Sequence, residues 1–253
     1  KKRKRISIFR EYFSGKFVHI LAFFTQRRYN IHMDYLLELV ARFLAAVIVL
    51  TLHEFAHAFV AWKCGDPTAK FSGRMSLNPM RHFDPLGMLL FALAGFGWAK
   101  PVPVNPGNFK KYRSGCFWTS AAGVIVNYLS AFLFYPLYML VFTYFLGDTY
   151  GHLLVGSFVL YLYVCSLSFC VFNLLPLYPL DGFRIVDALN RKRGKVYRFL
   201  RNYGYYILLG LIALDILADY VWFLEYINIL GYLMTFATNI LGWPIRALWS
   251  LVF

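Results

Sequence analysis

The sequence predicts an all-α polytopic membrane protein with a short re-entrant loop that contains β-strands. Three observations carry that expectation. The 253 residues are 60% hydrophobic with a mean hydropathy of +0.54, more than a soluble domain needs for its core. Between Ser114 and Leu180 the only formally charged residue is Asp148. Finally, His53-Glu54-Phe55-Ala56-His57 lies inside a hydrophobic segment long enough to cross a bilayer.

Residues 1–34 interleave Ile6, Ile8, Phe9, Phe13, Phe17, Ile20, Leu21, Phe23 and Phe24 with basic side chains. That pattern suits a helix lying in the membrane interface, the alternative being a basic tail. No continuous apolar core marks a cleavable signal peptide here. The first span is expected at about 35–62. Its HExxH places two imidazoles at i and i+4, on one helix face, where both can hold a single zinc ion. Glu54 between them can take a proton from water. Ionisable groups at such depth are costly, so their default reading is functional.

Residues 63–113 are irregular, punctuated by Asp66-Pro67-Thr68, Gly73, Asn78-Pro79, Asp84-Pro85, Pro101, Pro103 and Asn105-Pro106-Gly107. Ala69–Leu77 could form short strands and Pro101–Val104 a third, an edge to which an extended peptide could add. An equally open reading is a surface connector. The apolar run Leu86–Trp98 is Gly-rich and too short to span easily, so it reads as a re-entrant or buried piece. Further spans are expected at about 115–146, 152–177, 203–222 (with Asp215 buried in it) and 226–249, for five long hydrophobic segments in all.

The net charge of +14 is concentrated in Lys1–Arg5, with Arg10, Lys16, Arg27 and Arg28, and in Arg184, Arg191, Lys192, Arg193, Lys195, Arg198 and Arg201. In a polytopic chain such loops mark the cytoplasmic side and anionic lipid contact rather than nucleic acid. Cys64, Cys116, Cys165 and Cys170 have no paired zinc spacing, and the last two behave as small apolar residues within a span.

Two histidines do not complete a zinc site, since a catalytic one usually has three protein ligands and a water. His19, His32, His82 and His152 are weak candidates. A carboxylate is better, and Asp181 stands out at the end of Asn173-Leu174-Leu175-Pro176-Leu177-Tyr178-Pro179-Leu180-Asp181-Gly182. Pro176 and Pro179 stop the span from continuing as regular helix, so Asp181 arrives on unwound chain. Asp181 is equally good as the N-cap of a short helix over 182–189.

His53-Glu54-Phe55-Ala56-His57 together with Asn173…Pro176…Pro179-Leu180-Asp181-Gly182 resembles the site-2 protease family of intramembrane zinc metalloproteases. Gly97-Trp98-Ala99-Lys100-Pro101-Val102-Pro103-Val104-Asn105-Pro106 looks like that family's loop between its first two core helices, and Gly123-Val124-Ile125-Val126-Asn127 like its GxxxN pattern on the second. The resemblance covers roughly residues 35–190 and implies a three-helix metalloprotease core plus two C-terminal transmembrane helices. It divides the chain into a basic segment 1–34, a core 35–190 and a helix pair 191–253. It implies Zn2+ on His53, His57 and Asp181, Glu54 as catalytic base, and Asn173 positioning substrate or the oxyanion; Asn127 is a weaker candidate. No PDZ insertion or CBS domain is visible.

The implied activity is hydrolysis of peptide bonds within or next to transmembrane segments of membrane proteins, as in regulated intramembrane proteolysis. The implied partners are a transmembrane substrate and the bilayer of a bacterial cell membrane. An ion- or proton-coupled transporter would also use intramembrane His, Glu and Asp, with Asp215 as a further carboxylate. It predicts paired repeats with broken helices in both halves, and the sequence has one proline-broken site and no symmetry. A zinc-binding but inactive scaffold is a third reading, opposed by the intact Glu54. Loops 63–113 and 181–201 share one side, and the positive-inside rule makes it cytoplasmic. The same count leaves the basic N-terminus outside, against that rule.

Overall fold

The computed structural model of the chain describes residues 31–94, 97–145 and 149–252. Of the expected interfacial segment, all but the last four residues lie outside them. Those four already belong to the first helix, α1 (Ile31–Cys64). It is followed by α2 (Thr68–Phe71), α3 (Pro85–Ala94), α4 (Tyr112–Leu140, prolonged by a π-helical turn Val141–Phe145) and α5 (Tyr150–Leu174). Then come α6 (Asp181–Leu189), α7 (Lys195–Ala218) and α8 (Ile229–Trp249).

Among the described residues, four helices are long and apolar enough to cross a membrane: Tyr35–Cys64, Tyr112–Phe145, Tyr150–Leu174 and Lys195–Ala218. The expected fifth, α8, is 21 residues long, which reaches across a bilayer core, but is not among these four. Thr235, Thr238, Asn239, Pro244 and Arg246 dilute its apolar character.

Helices α1, α4 and α5 pack against one another. Their contacts are built from small side chains, as membrane helices need when lipid offers no hydrophobic drive to associate. On α1 these are Ala41, Ala45, Ala46, Ala58 and Ala61; on α4 they run from Gly115 through Thr119–Gly123 to Ala131. The opposite face of α1 carries Leu36, Val40, Leu44 and Ile48, four residues apart and exposed, a stripe suited to lipid. Helix α5 is the most enclosed, with 56% of its apolar window buried against 28% for α1 and for α4.

Helix α1 ends in a Schellman turn at Gly65 (φ +114°), whose N–H donates to Trp62 O while Asp66 N–H donates to Ala61 O. Asp84 caps α3, its Oδ1 accepting from Gly87 N, and Pro85 fills the first helical position. At ten residues, about 15 Å, α3 is too short to cross a bilayer. Met88 and Phe91 bury it against Ala45, Ala46 and Val49 of α1 and Leu162 and Cys165 of α5.

The expected strands are absent among the described residues. Ala69–Leu77 instead begins in α2 and turns at Gly73 (φ +67°), with Arg74 and Met75 N–H both on Ala69 O. Pro101–Val104 has no regular secondary structure and pairs with no strand. Pro101 and Pro103 lack N–H groups, and the neighbouring backbone groups bind single side chains and one carbonyl instead of a ladder. Lys100 N donates to His82 O, Val102 N to Glu54 Oε2, and Asn105 N to Asp66 Oδ2.

Candidate metal centre

His53 lies eleven residues before the end of α1, about 16 Å along the axis, which places it well inside the span. His57 is one turn on, and the two Nε2 atoms approach to 2.9 Å. Helix α5 stops at Leu174, and Leu175 is extended. The chain crosses Pro176 and Pro179 before α6 begins at Asp181. Leu180 is the N-cap and no side chain caps α6, so the Asp181 carboxylate is not spent on its own helix. Its Oδ2 lies 3.2 Å from His53 Nε2 and 3.0 Å from His57 Nε2.

Gly182 allows this approach. A Cβ there would sit 2.3 Å from Leu174 O and 2.5 Å from Leu175 O, so only glycine lets the first turn of α6 press on the end of α5. The Asp-Gly pair is thus a candidate ligand followed by the residue that seats it.

His53, His57 and Asp181 are all buried and form a group that could hold a metal ion. Oδ2 of Asp181 is enclosed and lacks a hydrogen bond of good geometry, as expected of an oxygen aimed at a cation. Ligands 2.0–2.1 Å from a tetrahedral zinc lie about 3.3 Å apart, so separations of 2.9–3.2 Å need only a slight opening. The donor set, two imidazoles and one carboxylate, is one that zinc takes in catalytic sites.

Both imidazoles lean on α4. His57 Nδ1 is 2.6 Å from Thr119 O, which can only accept, so this nitrogen carries the proton and Nε2 presents a lone pair. His53 Nδ1 is 3.0 Å from Asn127 Nδ2. Gly123 lies between these contacts, and a Cβ there would come within 2.4 Å of His53 Cε1 and 2.6 Å of His57 Nε2. The Gly123-x-x-x-Asn127 pattern therefore clears space for two rings and puts an amide one turn away.

Glu54 is buried, with Oε2 accepting from Val102 N at 2.9 Å. That segment is held from both sides. Arg74 donates to Lys100 O and Pro101 O at 2.6 and 3.2 Å. Asp66, fully buried, accepts from Thr68 N, Thr68 Oγ1, Asn105 N and Asn108 Nδ2. Burial raises the Asp66 pKa, but these donors outweigh it and leave the carboxyl below its ordinary value.

Other candidates sit elsewhere. Asn173 donates to Phe169 O at 3.1 Å, within its own helix. Asp215 accepts from Asn228 at 2.8 Å, tying α7 to the head of α8. His82 is buried beside Ser76 O, and His152 pairs with Thr149 on the surface. His19 lies outside the described residues, as does the His32 side chain. All four cysteines are free. Sequence reasoning missed the Thr119 carbonyl and the Val102 amide, backbone groups with no residue signature. It also read Asp66 only as part of a turn.

The profile described as Peptidase family M50 matches residues 142–214, which contain α5, the proline break, Asp181 and most of α7. The "Putative zinc metalloprotease YwhC" of Bacillus subtilis is 39% identical over 185 residues, covering 70% of this chain and 81% of the relative. The "Putative zinc metalloprotease Rip2" of Mycolicibacterium smegmatis is 27% identical over 197 residues, 74% of this chain and 73% of the relative. Its Mycobacterium tuberculosis namesake is 34% identical over 147 residues, 56% and 54% of the two chains. No solved structure matches. The identity and coverage of the Bacillus relative, with the M50 match across the Asp181 segment, place this chain in peptidase family M50, the site-2 proteases.

Proposed function

We propose that this protein is an intramembrane zinc metallopeptidase that hydrolyses peptide bonds within or beside transmembrane segments of membrane-protein substrates, the chemistry of regulated intramembrane proteolysis. The observation that carries the proposal is the convergence of Asp181 of α6 on His53 and His57, which lie with Glu54 inside a helix of membrane-spanning length. In this reading α1, α4 and α5 are the catalytic core, 35–190, and α7 and α8 are an added C-terminal pair.

His53 and His57 of α1 and Asp181 of α6 hold the zinc. When bound, zinc polarises the scissile carbonyl and lowers the pKa of water from about 15.7 toward 7. Glu54 accepts the proton of the attacking water and returns it to the leaving amine nitrogen. The Val102 N–H fixes Oε2 of Glu54, leaving Oε1 for that proton. A developing oxyanion needs a donor, and the Asn173 amide can serve only by turning away from Phe169 O. A helical substrate hides its carbonyls in i→i−4 bonds, so it must unwind before attack. The Pro101–Val104 segment beside Glu54 is the backbone against which an unwound peptide can lie.

The extra carboxylate of the transporter reading, Asp215, accepts a hydrogen bond from Asn228 at the head of α8. The protease reading expects Glu54→Gln to retain zinc and lose cleavage in reconstituted vesicles. Full proteolysis by that variant overturns it. Membrane stubs that accumulate in cells carrying Glu54→Gln would identify the substrates.

A further inference from the structure

Asn127 is fully buried in α4, and its amide meets the one nitrogen of His53 that faces away from Asp181. As placed, Nδ2 faces His53 Nδ1 at 3.0 Å, and the buried Oδ1 has no partner. An amide Nδ2 can only donate, so Nδ1 accepts and the ring proton sits on Nε2. That proton can be donated to the lone pair of His57 Nε2, 2.9 Å away, which suits a metal-free pair. It also blocks the lone pair that a metal needs.

We propose, building on the zinc reading above, that Asn127 is the positioning residue that sets the tautomer of His53 by turning its amide through 180°. In the metal-free protein Nδ2 donates to Nδ1. With zinc held, the ring proton moves from Nε2 to Nδ1, and Oδ1 accepts it. The amide oxygen and nitrogen are nearly the same size, so the turn needs no extra space. It is also neutral in hydrogen bonds, since one amide group is unpaired in either position. His57 needs no such device, because the Thr119 carbonyl holds its Nδ1 proton permanently. The centre then has one ring fixed by backbone and one set by a reversible amide, both from α4. Outer partners of this kind orient metal-bound imidazoles and raise their basicity.

Zinc affinity of the full chain in detergent, measured by competition with a chromophoric chelator, tests this. Asn127→Leu is similar in size but can neither donate nor accept. It is expected to lose about 10–100-fold in zinc affinity. Asn127→Asp keeps the acceptor and is expected to bind zinc as tightly as wild type or more so. A leucine variant that binds zinc like wild type overturns the proposal, because packing alone then explains the residue. Should the leucine variant fail to fold, nitrogen-15 spectra of histidine-labelled wild-type protein take its place. They are expected to show the His53 proton on Nε2 without zinc and on Nδ1 with it; His53 Nδ1 unprotonated in the loaded protein overturns the proposal. Wild-type protein that takes up no stoichiometric zinc, or Asp181→Ala that binds it as well, refutes the site assignment instead.

Discussion

Replacing Gly123 by alanine separates two opposed effects on the same residue. A helical glycine usually costs about 1 kcal/mol relative to alanine, so propensity alone makes Gly123→Ala stabilising. The tertiary contact works against it. The new methyl would lie 2.4 Å from His53 Cε1, 2.6 Å from His57 Nε2 and 2.7 Å from His53 Nδ1, so the rings must retreat by roughly 1 Å to reach ordinary contact. Small buried residues on both helices leave no slack for that retreat. Overpacking of this kind costs about 1–3 kcal/mol, which cancels or exceeds the gain in propensity. The larger consequence falls on the site. Displacing two ligands together is expected to weaken zinc binding at least tenfold, by analogy with lost outer-shell partners. A 1 Å misplacement of reacting groups slows chemistry about 100-fold. Zinc content after dialysis, thermal unfolding in detergent and cleavage in vesicles read the three quantities separately. An alanine variant more stable than wild type, with zinc and cleavage intact, would refute the packing argument.

Gly182→Ala tests the other arm of the site: its methyl meets the Leu174 and Leu175 carbonyls, so α6 must shift and carry Asp181 away. Loss of zinc is expected, and unaltered zinc content counts against the role given to this glycine. Val102→Pro removes the donor on Glu54 Oε2; a hydrogen bond to a charged group is worth about 1.5–3 kcal/mol, so cleavage should fall about tenfold or more while zinc stays bound. Asp66→Asn weakens the latch between residues 66–68 and 105–108, with an expected cost of about 1.5–3 kcal/mol near pH 7. The Asp66 pKa is depressed on folding, so its contribution is full above the unfolded value of about 3.9 and is lost as pH falls through the folded value. The difference in melting temperature between wild type and Asp66→Asn should therefore shrink at low pH; a constant difference argues against a charged latch.

The sequence by itself determined what depends on neighbours along the chain. Hydropathy over some twenty residues marked the spans. The i, i+4 spacing put His53 and His57 on one face, and Pro176 and Pro179 ended α5 where Asp181 was needed. Each is a local property of backbone geometry or solvation. Asp181 remained ambiguous between ligand and helix cap, because both uses begin with an acidic residue after a break. The fold makes Leu180 the cap and brings Oδ2 to the imidazoles, the arrangement the ligand reading needs. The strands expected near 69–77 and 101–104 failed for a related reason. Extended propensity makes a strand only when a partner offers a ladder, and here the partners are Glu54, Asp66, Arg74 and His82. The rest of the site joins groups 48 to 74 residues apart: Val102 with Glu54, Thr119 with His57, Asn127 with His53. Two of those contacts use backbone atoms that every residue type has, so no pattern along the chain could announce them. What HExxH left undetermined was the wall behind it, and the small residues of α4 supply that wall by letting two helices come close enough for a carbonyl and an amide to hold the rings.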